Sequence, residues 1–471
     1  MTNIKPASDP ADPGLGTATL QVHARGEAQQ VDIGRDAPFG WWPAIVIALV
    51  AFIDRVEINL IAGALPAIQD HFGFSDTVGG AIPTAASIAA AVLLLPAGRL
   101  ADRAPRVGTI AIVVLIWSLC SVLSGLASTF FIFFLVRIAI GAAGQLYNPP
   151  ASSLLADYYP NRSRGKAYGF ERAGYYMGLP TGVIVGGAVA EALDWRAVFF
   201  IAAIPGLVVA ALVLTLKEPR RGLGDAIDRL RAQRGAPDAG EAPVEEHAAL
   251  TGSTAGLLAE ARSLLKVTTL RGVIAAQAIL ALGVAGLFYW LPTFLERLEG
   301  LDTDAASGLA GGVGGTGIVI GIIIGSRLGD RRETSGWRIK LSTVCLLVGA
   351  IGLSLAVLLP GVGLRMTMVA VACAGFAGAM PNLTAAAANV VPAANRGMGF
   401  ALLQFLTTLG GAFGPLLVGA MSDLTGGIGN GMLFLIPPLF ISVLCLWLVR
   451  DTYDADAVRA AQSVTGGPAP S

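Results

Sequence analysis

The sequence predicts an all-α membrane protein of twelve transmembrane helices, arranged as two pseudo-symmetric six-helix bundles with both termini cytoplasmic. Three observations lead there. Hydrophobic residues make up 54% of the 471-residue chain and charged residues only 14%, whereas a soluble globule carries about 25% charged residues. Apolar segments of about 20 residues, long enough to cross roughly 30 Å of hydrocarbon as helices, recur through most of the chain. They are continuously apolar rather than alternating over about ten residues, which excludes a transmembrane β-barrel.

Taken in order, residues 1–40 are polar, carry Gly and Pro and hold no uninterrupted apolar core. They are expected to be a disordered cytoplasmic tail with no cleavable signal peptide. Residues 41–216 form the N-terminal bundle, with spans over 42–65, 79–97, 108–126, 130–155, 167–189 and 197–216. Residues 217–268 are a polar cytoplasmic linker, soft over 235–243. Its stretches 225–234 and 257–266 have enough apolar and basic character to form short amphipathic helices. Residues 269–449 form the C-terminal bundle, with spans over 270–291, 309–324, 339–359, 366–391, 398–421 and 432–448. Residues 450–471 read as a second disordered cytoplasmic tail.

Orientation follows from the basic residues, which are retained on the cytoplasmic side of short loops. Arg103, Arg106, Arg162, Arg164, Lys166, Lys217, Arg220, Arg221, Arg331, Arg332, Arg338, Lys340 and Arg396 all follow even-numbered spans. The opposite loops hold mostly acids, among them Asp70, Asp76, Asp194, Glu296, Glu299, Asp302 and Asp304. An internal repeat is also visible. Gly98-Arg-Leu-Ala-Asp102-Arg103 ends span two and Ser326-Arg-Leu-Gly-Asp330-Arg331 ends span eight, while Arg164-Gly165 with Gly169-Phe170 is echoed by Arg396-Gly397 with Gly399-Phe400. Two similar halves imply a pseudo-twofold axis along the membrane normal and a substrate cavity between them.

Twelve spans in two halves with the Gly98–Arg103 motif between spans two and three resemble the major facilitator superfamily. Four stretches are similar to its Spinster-like branch: Asp54-Arg55, Arg137-x3-Gly141, Ala156-Asp157-Tyr158-Tyr159-Pro160, and Trp195-Arg196 leading to Pro205-Gly206 and Glu218-Pro219-Arg220-Arg221-Gly222. The resemblance implies the major facilitator fold and alternating access driven by a proton gradient, in a branch whose substrates include lysophospholipids and sphingoid phosphates. The expected function is therefore proton-coupled secondary active transport of an amphiphilic or lysolipid-like organic anion. The Asp-Arg pair of span one also looks like the anion:cation symporter branch, so proton symport of small organic carboxylates or sugar acids is the alternative. Two departures from the family pattern stand out: Pro105 and Val107 replace a Gly and a basic residue, and Gly144 stands where relatives carry Glu in span four.

Charges inside the spans carry the mechanism, because each costs about 2.5–3.5 kcal/mol at the bilayer centre unless it meets a partner or a wet cavity. Span one holds Asp54, Arg55 and Glu57; Asp54 and Glu57 lie about 60° apart on one helical face, with Arg55 at its edge. In span four, Arg137, Gly141, Gly144 and Asn148 share one stripe. Glu57 or Asp54 is expected to pair with Arg137 in one conformational state and to be protonated when the pair separates. Glu171, beside Arg172 in span five, is a further proton-coupling candidate, a surrogate for the absent span-four acid. Arg55, Arg137, Gln145, Asn148, Tyr289 and Asn382 are the substrate-binding candidates. Asp102 and Arg103 are expected to latch the inner gate against the N-terminus of span eleven, and Asp330 and Arg331 to make the equivalent contact with span five.

Other chemistry is absent from the pattern. Gly312-x-Gly314-x-x-Gly317 lies inside span eight without a preceding strand, so it reads as helix packing rather than a dinucleotide loop. Cys120, Cys345, Cys373 and Cys445 sit singly inside spans, and His23, His71 and His247 lie outside them; neither set suggests a metal site. No catalytic triad or P-loop appears, so neither enzymatic activity nor a cofactor is expected. Lys+Arg and Asp+Glu balance at 32 each, which gives no reason to expect a nucleic-acid partner. The expected partners are a small-molecule or lipid-like substrate, protons and membrane lipids, with the chain a monomer, multi-pass in a bacterial inner membrane.

Overall fold

A computed structural model describes residues 19–24, 27–32, 35–235, 260–331, 336–392 and 395–465. Strands β1 (Thr19–Ala24) and β2 (Glu27–Asp32) pair antiparallel, Leu20 opposite Val31, inside the segment expected to be a disordered tail. Leu20 and Val22 alternate with Gln21 and His23, the period-two pattern of a strand. The chain then enters α1 (Trp42–Phe72), α2 (Asp76–Arg103), α3 (Arg106–Leu126), α4 (Phe130–Tyr158), α5 (Asn161–Ala192) and α6 (Trp195–Leu214). A short helix, α7 (Leu223–Gly235), follows where the linker was expected to be helical, and residues 260–264 of the second expected linker helix are helical too, its first three residues lying outside the described ones. The second half comprises α8 (Thr268–Glu299), α9 (Thr303–Asp330), α10 (Trp337–Leu358), α11 (Val362–Val390), α12 (Arg396–Thr425), α13 (Ile428–Leu433) and α14 (Ile436–Val449). The last expected span is thus broken in two, with Pro437 and Pro438 opening α14, where a missing N–H costs nothing. α1 and α8 end alike, on Gly73 (φ 67°) and Gly300 (φ 65°). That left-handed geometry suits glycine, and it marks the repeat at the level of backbone.

Among the described residues, ten helical stretches are long and apolar enough to cross a membrane, with α13 and α14 counted as one. α1 and α5 are not among them: α1 concentrates Asp54, Arg55 and Glu57, and the uncharged run of α5 beyond Arg172 is diluted by its glycines, Pro180, Tyr175 and Tyr176. These two helices pack along each other. A Cβ on Gly174, Gly178, Gly182 or Gly186 of α5 would lie 2.2–2.5 Å from the carbonyl oxygens of Ala48, Phe52, Val56 and Leu60. Small residues every fourth position therefore let the backbones touch.

Among the described residues, the hydrogen bonds between the two halves gather at one end of the bundle, the end where α1 turns into α2. There the start of α2 meets the end of α12, and the end of α5 meets the start of α9. A Cβ on Gly80 would lie 2.3 Å from the carbonyl oxygen of Pro415, and one on Gly187 would lie 1.9 Å from Ser307 Oγ. All described hydrogen bonds between the halves involve residues 69–84 of the first.

At the opposite end each half carries its own strap. Arg164 Nη2 donates to Asp225 of α7 (2.6 Å), and Asp228 accepts from the N–H of Asn161 at 2.8 Å. Beyond α14 the expected tail is instead a helix, α15 (Tyr453–Thr465), with Tyr453, Asp456 and Ala460 buried on one face. Asp456 accepts from the N–H of Thr269 (2.9 Å), satisfying a free donor at the start of α8. Asn389 Nδ2 donates to Tyr453 Oη at 2.9 Å. Near the N-terminus, Trp41 stacks on Tyr159 at 5.3 Å. Burial pushes the Tyr159 phenol up to about 12, so it remains a donor, to the carbonyl of Gly40 at 2.9 Å.

Candidate functional site

α1 brings its three charges into the middle of the first half, where α3, α4, α5 and α6 supply partners. Glu57 and Arg137 are both 4% exposed. Arg137 Nη1 donates to Glu57 Oε1 at 2.9 Å and Nη2 to the Glu57 carbonyl at 3.2 Å. Ser121 of α3 lies 3.1 Å from Glu57 Oε2, and the Arg137 guanidinium sits 5.5 Å above the Phe199 ring of α6. Two charges removed from water are held by direct contact, a cation–π face and a hydroxyl, which is the environment such a pair requires. Arg137 Nε is nevertheless buried without a partner.

Asp54 belongs to a second cluster. Arg55 donates to its Oδ2 from Nε (2.8 Å) and Nη2 (2.5 Å), and Tyr147 Oη lies 3.5 Å from the same oxygen. A Cβ on Gly144 would lie 3.1 Å from Asp54 Oδ1, so the carboxylate occupies space that a larger span-four residue would need. Of the two acids considered for Arg137, this structure gives it Glu57. Arg55 lies over the Tyr175 ring at 4.7 Å and Arg172 over the same ring at 5.7 Å. Glu171 is buried, meets Arg172 at 3.3 Å and interacts electrostatically with Arg55 and Asp54. Two linked charge clusters thus run through one half.

The remaining candidates are scattered. Asn148 is half-buried on α4, while the side chains of Gln145, Asp102 and Arg103 lie outside the described residues. Tyr289 Oη donates to the Gly79 carbonyl at 2.8 Å, so its hydroxyl is engaged in the contact between the halves. Asn382 donates to the carbonyls of Gly325 (2.9 Å) and Gly378 (3.1 Å), joining α11 to α9. Contrary to the expectation, no hydrogen bond or ion pair among the described residues joins Asp330 or Arg331 to α5. Asp330 accepts from Arg338 at 3.0 Å and Arg331 is exposed, because α5 and α9 touch at their other ends in this conformation.

Two further networks were not legible as sites. Arg106, fully buried, donates to Asp157, Glu218 (2.8 Å), Ser153 Oγ (2.9 Å) and the Pro219 carbonyl, binding the end of α4 to the chain after α6. In sequence it was one of several basic loop residues. At the end where the halves meet, Asp76 accepts from Gln69 Nε2 (2.9 Å), Arg297 Nη1 (2.8 Å) and Ser422 Oγ (2.6 Å). Asp423 of α12 accepts from the N–H groups of Asp76 (3.1 Å) and Thr77 (2.8 Å) and from Thr77 Oγ1 (2.5 Å). A carboxylate from one half thereby caps a helix of the other. Its only sequence signal was an acid opening α2, which is common at any helix start.

Comparison with known proteins agrees with this architecture. The family model described as Major Facilitator Superfamily matches residues 47–380 and 337–470. An "MFS-type efflux pump" of Mycolicibacterium smegmatis is 26% identical over 448 residues, 91% of this chain and 97% of that one. A "Gallate transporter" of Pseudomonas putida is 25% identical over 435 residues, 87% of this chain and 92% of that one. Among solved structures, a bacterial homologue of the human lysosomal transporter Spinster, in an inward-facing and occupied conformation, superposes with a TM-score of 0.68 at 21% identity. The match covers 92% of this chain and 99% of the other. The helices, their repeat and the buried charges of α1 therefore belong to a member of the major facilitator superfamily, a family of secondary transporters.

Proposed function

We propose that the chain is a proton-coupled transporter of an organic anion, with Glu57 and Asp54 as the proton-carrying acids. One observation supports this most: four charges, Asp54, Arg55, Glu57 and Arg137, are held in two adjacent pairs inside otherwise apolar helices. Such an arrangement is costly in a membrane and is retained for transport of charge. Protonating Glu57 removes the counterion of Arg137, whose Nε already lacks a partner, and frees the guanidinium for an anionic substrate. Arg55, 15% exposed on its side chain, is the second cation available to that substrate.

In this reading α1 and α5 also cross the membrane, giving twelve crossings, and the basic loops face the cytoplasm in a bacterial inner membrane. The end where the halves meet is then the outer one, and the conformation opens inward. An amphiphilic or lysolipid-like anion is the first substrate class; the fold likeness to a Spinster homologue and the apolar second half support it. Small carboxylates are the second, favoured by the likeness to a gallate transporter over most of the chain.

Uptake into proteoliposomes under an imposed pH gradient tests this. Labelled lysophospholipid and labelled gallate would be compared in wild type, Asp54→Asn and Glu57→Gln. Gradient-driven movement of either, reduced at least about tenfold in an acid variant, is the expected result. Gradient-independent movement, or full activity in both variants, would overturn the proton assignment.

A further inference from the structure

α3 carries three buried serines at helical spacing, Ser118, Ser121 and Ser124. Ser118 and Ser124 bond back along their own helix, to the carbonyls of Val114 (2.8 Å) and Cys120 (3.0 Å), as mid-helix serines commonly do. Ser121 does not. Its hydroxyl lies 3.1 Å from Glu57 Oε2 of α1 and 3.0 Å from the Phe199 carbonyl of α6.

A serine hydroxyl has one proton to give. An ionised carboxylate and a carbonyl can only accept, so with Glu57 ionised the hydroxyl serves one of its two neighbours and leaves the other. With Glu57 protonated at Oε2, the acid donates to Ser121 Oγ and Ser121 donates to the Phe199 carbonyl, and no acceptor is left over. The hydroxyl proton therefore has two positions, and the protonation state of Glu57 selects between them. Other groups bear on the same acid: Arg137 from α4, Asp54 from α1 and the Cys120 thiol from α3, with Tyr289 of α8 acting on Arg137.

From this geometry we infer that Ser121 is a positioning residue for the Glu57 proton. Its hydroxyl donates to the ionised acid paired with Arg137, and turns to the Phe199 carbonyl of α6 when the proton arrives and the acid becomes the donor. The inference rests on the proposal that Glu57 carries a proton. α6 receives the signal at a single residue, since Phe199 offers its carbonyl to Ser121 and its ring to Arg137.

The test is an infrared pH titration of the full-length protein in lipid, without substrate, comparing wild type, Ser121→Ala, Ser121→Thr and Glu57→Gln. The carboxylic acid band that Glu57→Gln removes reports the proton directly. In Ser121→Ala that band is expected to change frequency, and its titration midpoint to move by about tenfold in proton concentration, the equivalent of one charged hydrogen bond. Ser121→Thr keeps the hydroxyl and is expected to stay within twofold of wild type. An unchanged band and midpoint in Ser121→Ala would overturn the inference while leaving Glu57 as the proton carrier. If Glu57→Gln removes no band, both fall together.

Discussion

Replacing Asp423 with Ala is expected to loosen the two halves at the end where they meet. The carboxylate accepts three hydrogen bonds at the start of α2, from Asp76 N, Thr77 N and Thr77 Oγ1. Asp423 is itself exposed, so solvent screens the interaction, and the loss is that of a helix cap, about 0.5–2 kcal/mol. At about 1.4 kcal/mol per factor of ten, the ratio of closed to open conformers at this end falls by about 2- to 30-fold. Spin labels at exposed positions Asp70 and Leu424 lie on opposite halves, and a pulsed dipolar distance measurement in nanodiscs reads that ratio. Arg297→Gln removes the bonds to Asp76 and Gln69 and is expected to act in the same direction. Unchanged distance distributions in both variants would refute the reasoning, whether or not the melting temperature had fallen.

Two further outcomes follow from packing and from the Arg106 network. Gly178→Ala puts a methyl group 2.5 Å from the Phe52 carbonyl and 2.7 Å from Arg55 Cβ, an overpacking worth about 1–3 kcal/mol. Its melting temperature in detergent is expected to fall, while Gly165→Ala, where the added methyl meets nothing within 4 Å, stays at the wild-type value. Arg106→Gln leaves Asp157 and Glu218 without their shared cation, a loss of about 3–5 kcal/mol for a buried pair, and hydrogen exchange over α7 is expected to accelerate; unchanged protection there would count against the strap.

Much of the architecture could be read from the sequence because a membrane permits few solutions: long apolar runs must be helices, and the paired motifs ending at Asp102 and Asp330 reveal the duplication. Glu57 and Arg137 were legible as partners because an unpaired charge in an apolar run demands one. Which acid Arg137 takes was not legible, since helical periodicity places Asp54 and Glu57 on one face, and the choice depends on Arg55 folding back onto Asp54. The expected latch of Asp330 on α5 assumed a conformation in which the opposite ends touch. α15 was hidden by composition: its polar, Pro- and Gly-ended sequence resembles a tail, and the donor that ties buried Asp456 to the bundle, the N–H of Thr269, lies 187 residues away in the chain. Ser121 was invisible because three serines in an apolar helix look alike until their neighbours are known.

The two seams between the halves are built from different materials. Among the described residues, no hydrogen bond crosses from α5 to α9, where Gly311 and Gly315 lie against Pro180. Separation there strands no polar group and asks only for apolar contact to be exchanged with lipid or water. Where α2 meets α12 and the end of α8, the same motion strips Asp423, Asp76 and Arg297 of named partners. A duplicated fold has thereby become mechanically unequal, with one seam that slides without preference and another that must be unfastened.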